Sequence, residues 1–295
     1  MRQGRFYKFL LLLVITVLLL PSGYSEGIEQ GKFYVVGVGP SGPDLATLKA
    51  IRVIEEADAL LCPEGLRKEF EKYIKDKLIL CDPWEGLWYY HGKKFDELKG
   101  KEKEEWQRYR LKKREEIVKI IKEKMAQGKK IALLDHGDPC VYASCHWFIE
   151  SFREDEVEII PGLSAFNAAS AALKKSMLPA YDSRFVMLTA PFSLLGPKED
   201  DEKILENISK YPTTMVFYMG LKSIDRLVIT LGKYYPKDLP IAVVYHAGYP
   251  NKEKVVKGNL DTILKKLEGE KEKWLGMIVV GRCLAGEPYR SSKKD

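Results

Sequence analysis

No Cys-x-x-Cys pair occurs in this sequence, and only five cysteines and four histidines are spread over its 295 residues. That removes the common zinc spacings. Cys140, Cys145, His136 and His146 do gather around one turn. Because they match no such spacing, Cys140 and Cys145 read as small apolar residues at a strand-to-helix corner, and no metal is expected. The odd cysteine count leaves at least one thiol without a partner in the chain. No Gly-x-x-x-x-Gly-Lys-[Ser/Thr] segment is present, which excludes a P-loop. Internal repeats and low-complexity tracts are missing, apart from Lys/Glu-rich stretches that read as solvated helix faces. A large charge excess is missing too. The formal charge of +6 falls to +3 once Arg2, Arg5 and Lys8 are set aside, too little to argue for a nucleic-acid partner.

What is present begins with a leader-like segment. Arg2, Arg5 and Lys8 precede a twelve-residue apolar run, Phe9–Leu20, which is short for a membrane span. Pro21 follows, with small residues Gly23 and Ser25 at cleavage-compatible positions. This layout predicts a secretory signal peptide over residues 1–25, or an uncleaved amino-terminal anchor. The body would then be exported or membrane-anchored, and cytoplasmic if Met1 is not the true start. An apolar share of 45% allows a sizeable core.

Alternating strand and helix patterns fill the rest. Strands are expected at 33–38, 58–61, 78–80, 131–134 and 157–160, with helices at 44–57, 64–73, 102–127, 143–152 and 163–173. After Pro179 the pattern restarts with strands at 184–189, 213–218, 241–245 and 277–280, separated by helices at 202–210, 224–231 and 260–267. Such alternation predicts an α/β protein with largely parallel sheets in two domains, 32–175 and 180–284, and a polar tail at 285–295.

Three turns stand at strand ends, where parallel α/β sheets place ligand groups. They are Gly37-Val38-Gly39-Pro40-Ser41-Gly42, Gly137-Asp138-Pro139 and Pro161-Gly162-Leu163-Ser164. The first formally matches a dinucleotide fingerprint. Pro40 and Pro43, however, remove backbone donors that a pyrophosphate would use. The second strand also ends Leu61-Cys62-Pro63, with no carboxylate placed for a ribose.

Read together, these segments resemble the tetrapyrrole (corrin and porphyrin) methylases. The resemblance continues through Tyr218-Met219-Gly220-Leu221 and Val255-Val256-Lys257-Gly258-Asn259-Leu260 to Ile278-Val279-Val280-Gly281, and so covers about 32–284. It implies two α/β domains with S-adenosylmethionine in the cleft between them, in a homodimer. Carried over residue by residue, it implies cofactor contacts at Pro40, Gly137, Asp138, Val141, Ser164, Ala165, Met219 and Ala247. The same residues also suit plain turn or core roles. The chain departs from the family pattern at Ser41-Gly42, His136, Asn259 and Arg282.

Methyl transfer from a sulfonium needs positioning more than side-chain chemistry. His246, Tyr142 and Asp44, near expected strand ends, are the candidates for assisting a proton transfer. Residues 82–106 add Trp84, Trp88, Tyr89, Tyr90, His91 and Trp106 among charges. Aromatic faces suit a planar macrocycle, so Trp84, Trp88 and Tyr89 are expected to bind the ring, or else to serve as a packing staple or dimer contact. The function expected is an S-adenosylmethionine-dependent methyltransferase acting on a tetrapyrrole ring. The alternative is an exported tetrapyrrole- or metal-binding protein that kept the fold without catalysis, because the donor is made in the cytoplasm.

Overall fold

A computed structural model describes residues 31–178, 183–196 and 199–285 of the chain. The leader-like segment and the polar tail lie outside these residues. So do four residues around the expected domain junction.

The first sheet orders its strands β3-β2-β6-β1-β7. These are β1 (Lys32–Gly37), β2 (Ala59–Leu61), β3 (Leu78–Cys81), β6 (Lys130–Asp135) and β7 (Val157–Ile160). Every pairing is parallel. Parallel sheets need cover on both faces, and here both faces are apolar. Val36, Leu60, Leu134 and Ile160 pack on one side. Phe33, Leu61, Ile131 and Leu133 pack on the other. Helix α1 (Leu48–Glu56) begins where the Thr47 hydroxyl accepts from the Ala50 N–H at 3.1 Å, a side-chain N-cap. Helix α2 (Glu64–Glu69) and the single turn α3 (Glu71–Ile74) lie between β2 and β3.

A two-stranded hairpin, β4 (Tyr89–Tyr90) with β5 (Lys93–Lys94), interrupts the chain before the 26-residue helix α4 (Gly100–Met125). The Trp106 indole donates to the Gly86 carbonyl at 2.8 Å, and Arg110 donates to the Glu85 carbonyl at 2.7 Å. These bonds tie the insertion down on α4. The short helix α5 (His146–Ile149) follows β6.

The second sheet orders its strands β11-β10-β12-β9-β8. They are β8 (Phe185–Thr189), β9 (Thr213–Phe217), β10 (Pro240–Tyr245), β11 (Lys254–Asn259) and β12 (Gly276–Val280). Here the largely parallel expectation needs correcting. Only β8 and β9 pair in parallel. β10 pairs antiparallel with both β11 and β12, and β12 is antiparallel to β9. The loop 246–253 is too short for a crossover, so β11 must fold back on β10. β12 then enters between β10 and β9. Helices α7 (Glu199–Ser209), α8 (Ile224–Leu231) and α9 (Ile263–Lys266) separate these strands in sequence.

Helix α6 (Ala165–Leu173) joins the two halves. Its Ser164 cap is reciprocal: the Ser164 hydroxyl accepts from Phe166 N–H, and Asn167 accepts from Ser164 N–H. This is a capping box. Its buried face, Ala168, Ala169 and Leu173, packs against Val216, Ala242, Val244 and Val279 of the second sheet.

Candidate functional site

The three glycine turns meet at one place. Gly39 and Gly137 exchange backbone hydrogen bonds at 2.8 and 3.3 Å, stitching the first turn to the second. A Cβ on Gly162 would lie 2.2 Å from the Gly137 carbonyl oxygen and 2.7 Å from that of Gly37. Only glycine permits that approach. The result is a cradle of bare backbone at the carboxyl ends of β1, β6 and β7, where an open α/β sheet binds ligands.

The second lobe closes this cradle. Leu45, just beyond the first turn, packs into the core that α6 shares with the second sheet. Ser41 is buried, its hydroxyl without a hydrogen-bond partner, and Gly248 of the β10–β11 loop lies against it. The Tyr218 and Ser164 hydroxyls are 2.7 Å apart. Tyr142 stacks on Tyr218 with ring centroids 4.8 Å apart and an interplanar angle of 19°. Burial raises both phenol pKa values.

Most of the residues expected to hold a cofactor border this space. Pro40, Gly137 and Asp138 lie in the stitched turns, and the Asp138 carboxylate accepts from the Cys140 N–H at 2.7 Å. Val141 and Tyr142 are exposed just beyond them. Ser164 and Ala165 open α6. Met219 takes a left-handed φ of 52° and is 37% exposed, directly after Tyr218. Ala247 is buried in the core shared by α6 and the second sheet.

The three candidates for proton transfer diverge. Asp44 is exposed in the short 3-10 turn Pro43–Leu45. Tyr142 is engaged in its stack. His246, at a left-handed φ of 46°, has its Nε2 3.3 Å from Glu272. Burial opposes ionisation of Glu272, but N–H donors from Trp274 and Leu275 outweigh it and hold the carboxyl below its ordinary range.

The aromatic insertion divides as well. Trp84 is half-buried against Phe148, with ring centroids 5.5 Å apart, and its ring is used in packing there. Trp88 and Tyr89 are exposed by 45% and 58%. Trp88 reaches the second lobe, edge-on to Trp274 at 6.5 Å. Beside it Lys222 pairs with Asp96 at 2.7 Å and lies 3.9 Å above the Trp274 ring. This strap of packed rings and one ion pair links the lobes. Lys222, Trp274 and Glu272 carried no sequence signal of their own, because their role exists only once the lobes meet.

Cysteines do not assemble a metal centre. Cys145 is buried below the second turn while Cys140 is exposed. All five thiols are free. Among the described residues no group of three or more His, Cys, Asp or Glu is placed to hold a metal ion.

The sequence profile of the tetrapyrrole (corrin/porphyrin) methylases matches residues 32–264. The chain belongs to this family. It is 32% identical over 265 residues to a cobalt-precorrin-4 C(11)-methyltransferase of Methanocaldococcus jannaschii, covering 89% of this chain and 92% of that one. A uroporphyrinogen-III C-methyltransferase of the same organism is 30% identical over 260 residues, covering 86% and 97%. A solved cobalt-precorrin-4 methyltransferase superposes with a TM-score of 0.66 at 22% identity, covering 86% and 95%. Tetrapyrrole methylases use S-adenosylmethionine as methyl donor. The residues here fit such a donor. The side-chain-free cradle offers backbone polar groups, and Val141, Tyr142 and Met219 offer apolar and aromatic surface beside it.

Proposed function

We propose that this tetrapyrrole methylase transfers a methyl group from S-adenosylmethionine to a ring carbon of a tetrapyrrole of the precorrin-4 type. The observation that carries the reading is the glycine-stitched cradle facing a two-lobed cleft, in a chain similar along most of its length to a precorrin-4 C(11)-methyltransferase. The donor supplies an electrophilic methyl on a sulfonium, already activated for transfer. The protein's share is to hold the acceptor carbon in line and exclude water. Backbone groups of the three turns and the Asp138 and Ser164 side chains hold the polar end of the donor. Met219, Val141 and the Tyr142–Tyr218 stack bound its apolar face. Exposed Trp88 and Tyr89 on the strap offer faces to the macrocycle.

We also infer a homodimer. β8 is an edge strand, and it exposes Phe185 and Leu188, with Phe192 just beyond. Edge strands that present apolar groups call for a partner. The test of function is incubation with S-adenosylmethionine and, in turn, cobalt-precorrin-4 and uroporphyrinogen III, followed by mass spectrometry of the ring. One added methyl on cobalt-precorrin-4 is expected. Methylation of uroporphyrinogen III alone would reassign the ring, and methylation of neither would reject the reading.

A further inference from the structure

The strap has two roots, and both stand on the sheet edges that carry the cradle. Asp82 leaves the carboxyl end of β3, and β1, β6 and β7 end at the same edge because these strands run parallel. β3 lies two strands from β6, about 10 Å along that edge at the usual strand spacing. That span can seat a broad, flat ring beside a ligand held at the glycine turns. On the second lobe the strap lands on Lys222 and Trp274. Lys222 follows Met219 closely, in the 3-10 turn Leu221–Ser223. Trp274 leads into β12, the neighbour of β9, and the next residue's carbonyl, that of Leu275, accepts from the His246 N–H at 3.0 Å.

Each side of this contact is fixed by its own lobe. Phe95, just before Asp96, stacks on Trp106 of α4 with centroids 6.0 Å apart and meets Trp88 edge-on at 5.6 Å. Its N–H donates to the Trp88 carbonyl at 3.0 Å. Across the gap, Glu272 accepts from the Trp274 N–H at 2.7 Å and from the Leu275 N–H at 3.1 Å, which sets the Trp274 ring. Lys222 Nζ lies 3.9 Å above that ring and 2.7 Å from Asp96 Oδ2. Its two partners differ in kind. The ring attracts the ammonium without neutralising it. The carboxylate neutralises it, but the pair is 38% and 39% exposed, and a pair so open to water adds little stability. An incoming carboxylate can therefore replace Asp96 easily, while Trp274 keeps the ammonium in place.

We propose that Lys222 binds a carboxylate on the rim of the tetrapyrrole, and that Asp96 occupies that position until the ring enters. The proposal rests on the methyl-transfer reading above. Uroporphyrinogen III and the corrin precursors carry carboxylates around a broad ring. The strap offers a matching pair of features: the exposed face of Trp88 for the ring and the Lys222 ammonium for its rim. Exchanging one carboxylate for another leaves the charge at Lys222 balanced. It also cuts an ion pair between the lobes, which couples entry of the ring to loosening of the strap. The donor carries a carboxylate too. The two sources are told apart with S-adenosylhomocysteine, which keeps that group.

Steady-state methylation of cobalt-precorrin-4 and of uroporphyrinogen III, with S-adenosylhomocysteine calorimetry alongside, tests this. Lys222→Gln should raise KM for the methylated ring roughly ten-fold, as expected for a lost charge-assisted hydrogen bond. Its kcat should stay within about two-fold of the parent, the sign of an interaction made equally in ground and transition states. Asp96→Asn should move KM the other way, down by about two- to five-fold, because the competing carboxylate is gone. Affinity for S-adenosylhomocysteine should stay within about two-fold of the parent in both variants. A KM that rises or stands still in Asp96→Asn makes the pair a plain clamp between the lobes and overturns the proposal. An unchanged KM in Lys222→Gln overturns it as well. Loss of S-adenosylhomocysteine binding in Lys222→Gln overturns it in favour of a donor-binding or structural role. In each of these cases the parent still methylates a ring, and the function stands. A parent that methylates neither ring defeats the functional reading, and this assignment with it.

Discussion

Replacing Asp135 by Asn should favour the folded protein increasingly as pH rises from acid to neutral. Asp135 sits beneath the second turn, buried at the end of β6, with Oδ2 lacking any hydrogen-bond partner. Burial drives its pKa from 3.8 up to about 6, against the opposing effects of the Cys145 hydrogen bond, the His136 N–H and the charge of His146. A carboxyl raised in the folded state binds its proton more tightly there than in the unfolded chain. Its contribution is therefore complete below 3.8 and is lost as pH rises through about 6. At about 1.4 kcal/mol per tenfold change in proton affinity, the ionised group costs about 3 kcal/mol at neutral pH. Asn stays neutral throughout. The stability difference between variant and parent should thus grow by about 2.5 kcal/mol between about pH 4 and about pH 8, measured by urea denaturation with m unchanged. The amide adds a constant offset for its own hydrogen bonds, so the growth of the difference is the quantity to read. Parallel stability curves for the two proteins would refute the argument.

Other outcomes follow from the same geometry. Gly162→Ala should destabilise the cleft strongly, because its Cβ would strike the Gly37 and Gly137 backbone; thermal melting and S-adenosylhomocysteine calorimetry should both register it. Asp138→Ala should weaken S-adenosylhomocysteine binding roughly ten-fold or more, as loss of a charge-assisted hydrogen bond costs about 1.5–3 kcal/mol; unchanged affinity would remove Asp138 from the site. Trp88→Ala with Tyr89→Ala should weaken ring binding, read by tryptophan quenching, and spare S-adenosylhomocysteine; equal loss of both would mean a general collapse of the strap. A reporter active only outside the cytoplasm, fused after residue 40, should be active, and silent when Leu12 and Leu13 become Arg; a silent fusion from the native start would reject export.

Most strands of the first sheet were legible because they are short apolar runs closed by Gly, Pro or Asp, as in Phe33–Val38 before Gly39. The glycine turns were legible for a related reason: Gly37 and Gly162 leave no room for a Cβ against neighbouring backbone, and Gly137 holds a left-handed φ of 74°. β11 was missed. Lys254, Lys257 and Gly258 dilute Val255 and Val256, and one face of that edge strand is open to water. The sense of β11 and β12 was misread because βα spacing reports separation along the chain and is silent on where a returning strand inserts. Among the site residues, Asp44 and His246 looked alike in sequence, both being polar groups at strand ends. Only tertiary placement separates them, since the His246 partner Glu272 lies far along the chain.

Helix α6 has a consequence for how this protein can be divided. It leaves the first sheet through the Pro161-Gly162 turn, yet its alanine face is buried by strands made much later in the chain. A fragment ending at residue 175 would carry that face naked, and a fragment starting at 180 would lack the cover for Val216, Ala242 and Val279. During synthesis the amino-terminal half must therefore wait, with α6 undocked, until β12 emerges. The cradle formed by Gly37, Gly137 and Gly162 comes from earlier chain, but the wall that makes it a cleft is made later, from β9 to β12.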